Sequence, residues 1–349
     1  MGEARRFAIR LAESLQFSET DVGRVALVVT EAATNIVQYA KRGELLLRAM
    51  ALEAPLGLEV LALDQGPGIA NVAQALRDGF SSGGSAGLGL GAIARLSTHF
   101  EISSTCGKGT ALLARIGRSV PGRHHAVPGP PVDPGSKQDS SGLEWGVVCV
   151  PQRGEEVCGD AWTLVASEDK STLLIVDGLG HGLLAFEAAQ QALRAFWGQA
   201  STGPEAGLRA MHEAMRSSRA TRETRGAVAA IAEISWQARE LRYSGAGNIA
   251  AALVPLAGPA RSLLSHSGTL GESVTRFEEL VYPWPEGGLL VLQSDGLSNH
   301  WELEHYPGLT RKHPSLIAGV LYRDFANRRD DVVVVVGRQR ETSEERAST

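Results

Sequence analysis

The composition of this chain divides it in two. Between Arg118 and Gly142 it reads SVPGRHHAVPGPPVDPGSKQDSSG, a run dense in Pro, Gly and Ser with no apolar periodicity. Such a run supplies neither a helix nor a central strand, so the sequence on either side has to bury its own core. The length of 349 residues suits two ordinary domains. A hydrophobic share of 43% with 21% charged residues is enough to give each a core. The expected layout is a first domain at 1–117, a linker at 118–142, a second domain at 143–340 and a polar tail at 341–349. His124 and His125 could be read as metal ligands, but within this run they fit a solvated linker pair better.

The overall balance narrows the partners. A formal charge of -5 without any Lys/Arg-rich run leaves no electrostatic footprint for nucleic acid. No apolar stretch reaches the ~18 residues that span a bilayer, and MGEARRFAIR has no signal-peptide core, so no membrane partner is expected. Cys106, Cys149 and Cys158 are odd in number and lack metal-ligand spacing. They read as reduced, mostly buried thiols of a bacterial-type cytoplasmic enzyme.

Before the linker, Val22, Val25, Ala26, Val29, Ala32, Ala33, Ile36, Val37 and Ala40 recur at helical steps and predict one amphipathic helix. Ser18 and Asp21 form a capping box at its start, and Gly43 stops it. An earlier helix is expected over 3–16, strands over 45–52 and 56–63 with a turn at 53–55, and short helices over 72–77 and 89–96. Strands over 100–104 and 110–116 flank a turn at 107–109. The expected architecture is α+β, with helices on one face of a mixed sheet.

Three motifs lie on this frame. Glu31 and Asn35, in TEAATN (residues 30–35), stand four apart and project from one helix face. A carboxylate can take a proton from a hydroxyl and an amide oxygen can ligate Mg²⁺, although the pair alone also fits a wet helix face. DQGPGI (residues 64–69) follows a strand. There Asp64 can accept a hydrogen bond from an exocyclic amine, while Gly66 and Gly68 let the backbone turn tightly. GLGLG (residues 87–91) opens a helix whose free N–H groups suit phosphates.

In this order the motifs resemble the GHKL ATPase/kinase fold, in its anti-sigma and stress-switch serine kinase branch of the RsbT type. TEAATNIVQYA looks like its N box, DQGPGI its first glycine box, and GFSSGGSAGLGLGAIARL with GKGT its second. The resemblance implies Glu31 as general base, Asn35 as Mg²⁺ ligand and Asp64 as adenine acceptor. It also implies ATP contacts at Gly66, Gly68, Gly87, Gly89, Gly91, Lys108, Gly109 and Thr110. The family usually has an edge strand before the first helix, which this chain does not show.

After the linker, strands are expected over 143–150, 160–166, 172–176, 228–234, 241–244, 250–254, 289–293 and 332–336. Helices are expected over 183–197, 204–217 and 314–325. Two helix pairs around a strand-rich core give an α–β–β–α order. If a hairpin turns at 168–169, Asp160 and Asp177 fall opposite each other. Asp295 ends another strand, and Asp330 with Asp331 precedes a fourth. Taken singly each Asp reads as a turn residue or cap. Gathered at one sheet end they would repel and lose hydration, and bound cations relieve both; oxygen-only ligands favour Mg²⁺ or Mn²⁺. His181 reads as a helix-start residue, with donation to phosphate as the alternative.

CGD, DGLGHG, SDG and RDD, with SGAGNI (residues 244–249), resemble the SpoIIE-like branch of metal-dependent serine/threonine phosphatases, of the RsbX type. That implies a bimetal centre with Asp160, Asp177, Asp295 and Asp330 as ligands together with the Gly178 carbonyl. Valines follow the acidic pair where the family usually has Thr or Ser. No arginine stands unmistakably where larger relatives orient phosphate, Arg153 being a weak candidate. The whole reads as a kinase fused to a phosphatase. Its partner by resemblance would be a phosphorylatable STAS-type anti-sigma antagonist or stressosome protein, or a sigma factor. Alternatives are a first domain that binds ATP without transferring phosphate, and a non-catalytic scaffold.

Overall fold

The computed structural model describes residues 1–40, 42–50, 56–77, 89–119, 142–167, 169–198, 202–219, 225–274 and 276–340. The expected turn at 53–55, Gly87 with the run GFSSGGSA before it, His124, His125, Glu168 and the tail at 341–349 lie outside these residues. The chain divides into two compact units, Met1–Asp139 and Ser140–Thr349.

The first unit comprises α1 (Gly2–Ser14), α2 (Glu19–Asn35), β1 (Gly43–Met50), β2 (Gly57–Asp64), α3 (Val72–Ala75), α4 (Gly89–Leu96), β3 (His99–Thr105) and β4 (Gly109–Gly117). The strands pair in the order β1-β2-β4-β3. Every pairing is antiparallel, so the sheet is not mixed as expected. The tight turn between β3 and β4 obliges these two to run in opposite directions. Ala8, Val25, Val28, Val29, Ala32 and Ile93 close over Leu58, Val60, Leu112, Ala114 and Ile116 to make the helix-side core. Ser18 Oγ accepts the Asp21 N–H at 3.1 Å and donates to Asp21 Oδ2 at 2.9 Å, fixing the start of α2. Burial pulls the Asp21 pKa up, but hydrogen bonds from Ser119, Ser18 and Arg24 outweigh it and leave the carboxyl below its usual range. The expected single helix to Ala40 is corrected, because α geometry ends at Asn35 and Ile36–Ala40 forms one π turn. Gly66 lies against that turn, where an added Cβ would stand 2.9 Å from the Ala40 Cα.

The second unit contains β5 (Leu143–Val150), β6 (Asp160–Ala166), β7 (Lys170–Gly178), α5 (Leu183–Trp197), α6 (Pro204–Arg219), β8 (Ala227–Ser235) and β9 (Glu240–Ala246). It continues with β10 (Ala250–Val254), β11 (Arg261–Ser262), β12 (Leu280–Pro283), β13 (Leu289–Gln293), α7 (Pro314–Phe325) and β14 (Val332–Gln339). Two five-stranded sheets, β11-β10-β13-β14-β5 and β12-β9-β8-β7-β6, face each other. Trp145, Val147, Leu290, Val333 and Val335 from the first meet Leu173, Ile175, Ala230 and Tyr243 from the second. Phe196, Leu208 and Met211 seal α5 and α6 onto Leu174, Val176 and Ile231. On the other side α7 packs on β5 and β14. The α–β–β–α order stands. Among the described residues, however, this outer layer holds one long helix and two short 3-10 turns, not a helix pair. No helix of the described residues is long and apolar enough to cross a membrane.

Candidate metal centre and candidate nucleotide site

Asp160 opens β6, Asp177 lies one residue before the end of β7, and the two are direct cross-strand partners. Equal distance from the hairpin turn places both carboxylates at one sheet end. In the facing sheet, Asp295 follows β13, and Asp330 and Asp331 precede its neighbour β14. Ser294 ties the sheets together here. Its Oγ donates to Asp160 Oδ2 at 2.7 Å and accepts the Val333 N–H at 3.0 Å.

The carboxylates share one field. Burial drives the Asp177 pKa up to about 9, with repulsion from Asp160, Asp295, Asp330 and Asp331 adding to it. Burial also raises Asp160 to about 7; the Ser294 hydrogen bond opposes this, and Asp331, Asp330 and Asp295 reinforce it. Asp295 is raised by burial and then by Asp330, while Asn248 Nδ2 donates to its Oδ2 at 2.7 Å. Asp330 Oδ1 accepts the Asp331 N–H at 2.9 Å.

The donor set fits divalent cations. Asp331 is 2% exposed, its Oδ1 accepts the Gln152 N–H at 2.8 Å, and its Oδ2 is buried without a partner. Gly159 makes room beside that orphan oxygen, since a Cβ there would stand 2.7 Å from it. Among the described residues no three His, Cys, Asp or Glu side chains form a ready-made chelating group. Mg²⁺ commonly takes only one or two carboxylates and keeps several waters, so a looser ring of carboxylates suits it. Gly178 is fixed by packing, because a Cβ would land on the Ala185 carbonyl of α5.

Around the ring, His181 Nδ1 pairs with Glu155 Oε1 at 2.7 Å. The three cysteines are thiols but not mostly buried: Cys106 is exposed and the other two half-buried. Cys149 and Cys158 sulfurs stand 3.6 Å apart, and that contact is the leading cause of a raised Cys158 pKa. From sequence alone Ser294 and Asn248 have no assigned role, and Asp331 stands only as the acidic neighbour of Asp330. Their signal lies in the motif letters SDG, SGAGNI and RDD.

In the first unit Glu31 and Asn35 converge on the first turn of α4. A Cβ on Gly89 would stand 3.2 Å from Asn35 Oδ1 and 3.3 Å from Glu31 Oε2, so a side chain there would crowd both. Asn35 Nδ2 is buried without a partner. Asp64 Oδ1 accepts the Gly66 N–H at 2.7 Å and the Thr110 N–H at 3.1 Å. Gly109, at φ +95, comes so close to the Asp64 carbonyl that a side chain is barred. Gly68, at φ +75, packs on the Thr105 carbonyl, and Gly107 N–H donates to Pro67 O at 2.8 Å. Thr110 Oγ1 pairs with Ser104 Oγ at 2.9 Å. Lys108 is exposed at the tip of this turn, and Gly91 is buried within α4.

Residues 1–116 match the histidine kinase-like ATPase domain family, and residues 167–339 match the stage II sporulation protein E (SpoIIE) family. The chain is similar to the serine/threonine-protein kinase RsbT of Bacillus subtilis (strain 168). The two are 36% identical over 111 residues, which is 32% of this chain and 84% of that protein. It is also similar to the phosphoserine phosphatase RsbX of the same organism, 25% identical over 188 residues, or 53% of this chain and 89% of that one. A solved structure described as "The bacterial stressosome: a modular system that has been adapted to control secondary messenger signaling" is 28% identical. It covers 56% of this chain and 99% of its own with a TM-score of 0.51.

Proposed function

The chain belongs to the histidine kinase-like ATPase family through residues 1–116 and carries a SpoIIE-family metal-dependent protein serine/threonine phosphatase over 167–339, and from this we propose a bifunctional regulator. Its two domains, 1–117 and 143–340, would add phosphate to and remove it from a serine or threonine of one partner. The ring of carboxylates around the cross-strand pair Asp160 and Asp177 is the observation that carries the reading. Asp160, Asp177, Asp295, Asp330 or Asp331 and the Gly178 carbonyl would hold two Mg²⁺ or Mn²⁺ ions. Bound there, the ions supply a water of lowered pKa and Lewis-acid stabilisation of the phosphoryl group. Ser294 holds the Asp160 carboxylate toward the ring, and Asn248 does the same for Asp295.

In the first unit Glu31 would accept the proton of the partner's hydroxyl while Asn35 holds Mg²⁺ on the triphosphate. Asp64, anchored by two backbone N–H groups, faces the adenine amine in this reading. Gly66, Gly68, Gly87, Gly89, Gly91, Lys108, Gly109 and Thr110 would line the nucleotide. The partner is a phosphorylatable STAS-type protein of a partner-switching pathway, and the setting is cytoplasmic.

One experiment tests both halves. The full chain is given labelled ATP, Mg²⁺, Mn²⁺ and a STAS-type partner. Asp177→Asn should accumulate labelled partner, and Glu31→Ala should label it about 10²–10⁴-fold more slowly. Nucleotide binding without transfer in Asp177→Asn would leave a binding module fused to a phosphatase. Rapid loss of label in Asp177→Asn would remove Asp177 from the metal centre.

A further inference from the structure

We propose that Arg225 binds the substrate phosphate in the phosphatase unit, an inference that rests on the phosphatase reading. A phosphate monoester carries close to two negative charges near neutral pH. Here it has to settle beside Asp160, Asp177, Asp295, Asp330 and Asp331. Divalent cations offset part of that charge, yet the phosphoryl oxygens facing away from them still need a fixed donor. Arg225 lies against the loop that leaves Asp177. β8 runs beside β7 with Asp177 opposite Val228 and Gly178 opposite Ala227, so the two residues before β8, Arg225 and Gly226, border the loop leaving Asp177. Leu179 N–H donates to Gly226 O at 3.0 Å, which locks the two segments together.

Arg225 then reaches over that loop. Its Nη1 donates to Leu179 O at 3.0 Å, and it lies so close to Gly180 that a Cβ there would collide with the guanidinium. Gly180 has φ +85 and Gly182 φ +72, and between them His181 is held by Glu155. The loop is therefore gripped by Arg225 on one side and Glu155 on the other. A guanidinium has five N–H donors in a rigid fork. One is spent on Leu179, and among the described residues the others have no partner while the side chain is exposed. A fork anchored at one tine and open at the rest is preorganised for two phosphate oxygens. Arg153, the candidate from sequence, is exposed in the β5–β6 loop with no hydrogen bond fixing it among the described residues.

The test uses the Mn²⁺-loaded full chain and inorganic phosphate as probe. Phosphate affinity is measured by calorimetry and as inhibition, beside KM and kcat for a phosphoserine peptide and the Mn²⁺ affinity. Arg225→Ala should weaken phosphate binding and raise KM by about tenfold or more, with Mn²⁺ affinity unchanged. Arg225→Lys should fall between, since it keeps the charge but not the fork. Unaltered phosphate affinity in Arg225→Ala would overturn the proposal even if kcat fell, because a loop brace predicts that pattern. So would a loss seen in Arg153→Ala instead. Absence of Mn²⁺-dependent turnover in the unaltered chain would count against the phosphatase reading, while calorimetry with phosphate would still judge Arg225.

Discussion

Asp177 pairs with Asp160 across two strands, and without cations both prefer to keep a proton. An acid whose folded pKa is raised contributes stability that is fully present below its unfolded pKa and is lost as pH climbs through its folded one. Here the unfolded value is 3.8 for both, against about 7 for Asp160 and about 9 for Asp177 in the fold. Between these limits the folded state binds more protons than the unfolded chain, so metal-free stability falls as pH rises. The slope is about 1.4 kcal/mol per pH unit for each group still titrating. Melting temperatures recorded with chelator from about pH 5 to pH 8 should therefore decline for the phosphatase unit, and Asp177→Asn should flatten the decline. Added Mn²⁺ should restore most stability at the alkaline end, where it displaces fewest protons. A chelated protein equally stable throughout would contradict the buried ring of charge.

At the scale of elements, α5 and β7 approach so closely that Gly178 has no space for a side chain against the Ala185 carbonyl. Gly178→Ala should destabilise the unit by about 1–3 kcal/mol and weaken Mn²⁺ binding, both read by melts with and without the ion. A neutral substitution would mean that the contact yields without cost. Much of this architecture is written locally. The β6–β7 register was legible because Asp160 and Asp177 sit at equal distances from a short turn. The stripe of α2 likewise named its own core residues. What escaped depends on distant chain. β11 and β12 are short edge strands, RS and LVYP, whose pairing comes from β10 and β9 and not from their own pattern. The π turn after Asn35 packs against Gly66, a neighbour some thirty residues further along. Of the doubled acid, alternation along the chain turns Asp331 inward with an orphan oxygen and leaves Asp330 half-buried, a choice no spacing announces. Arg225 had no motif around it and became visible only once β8 lay beside β7.

For the whole molecule, separate cores on either side of a Pro/Gly/Ser-rich run imply two cooperative melting units, not one. Calorimetry should resolve two transitions in the full chain. Mn²⁺ should raise one and Mg²⁺ with a non-hydrolysable ATP analogue the other, each by about 2.7 kcal/mol at a hundredfold excess over Kd. One transition moved by both ligands would refute that independence. Anchoring an acidic ring on strand ends from both sheets, tied through Ser294, has a further effect in the cell. Proteases act on opened chains, and an ion that closes this ring lowers their supply. Scarcity of the mineral would thus deplete the protein itself, making its abundance a record of ion supply as well as of gene expression.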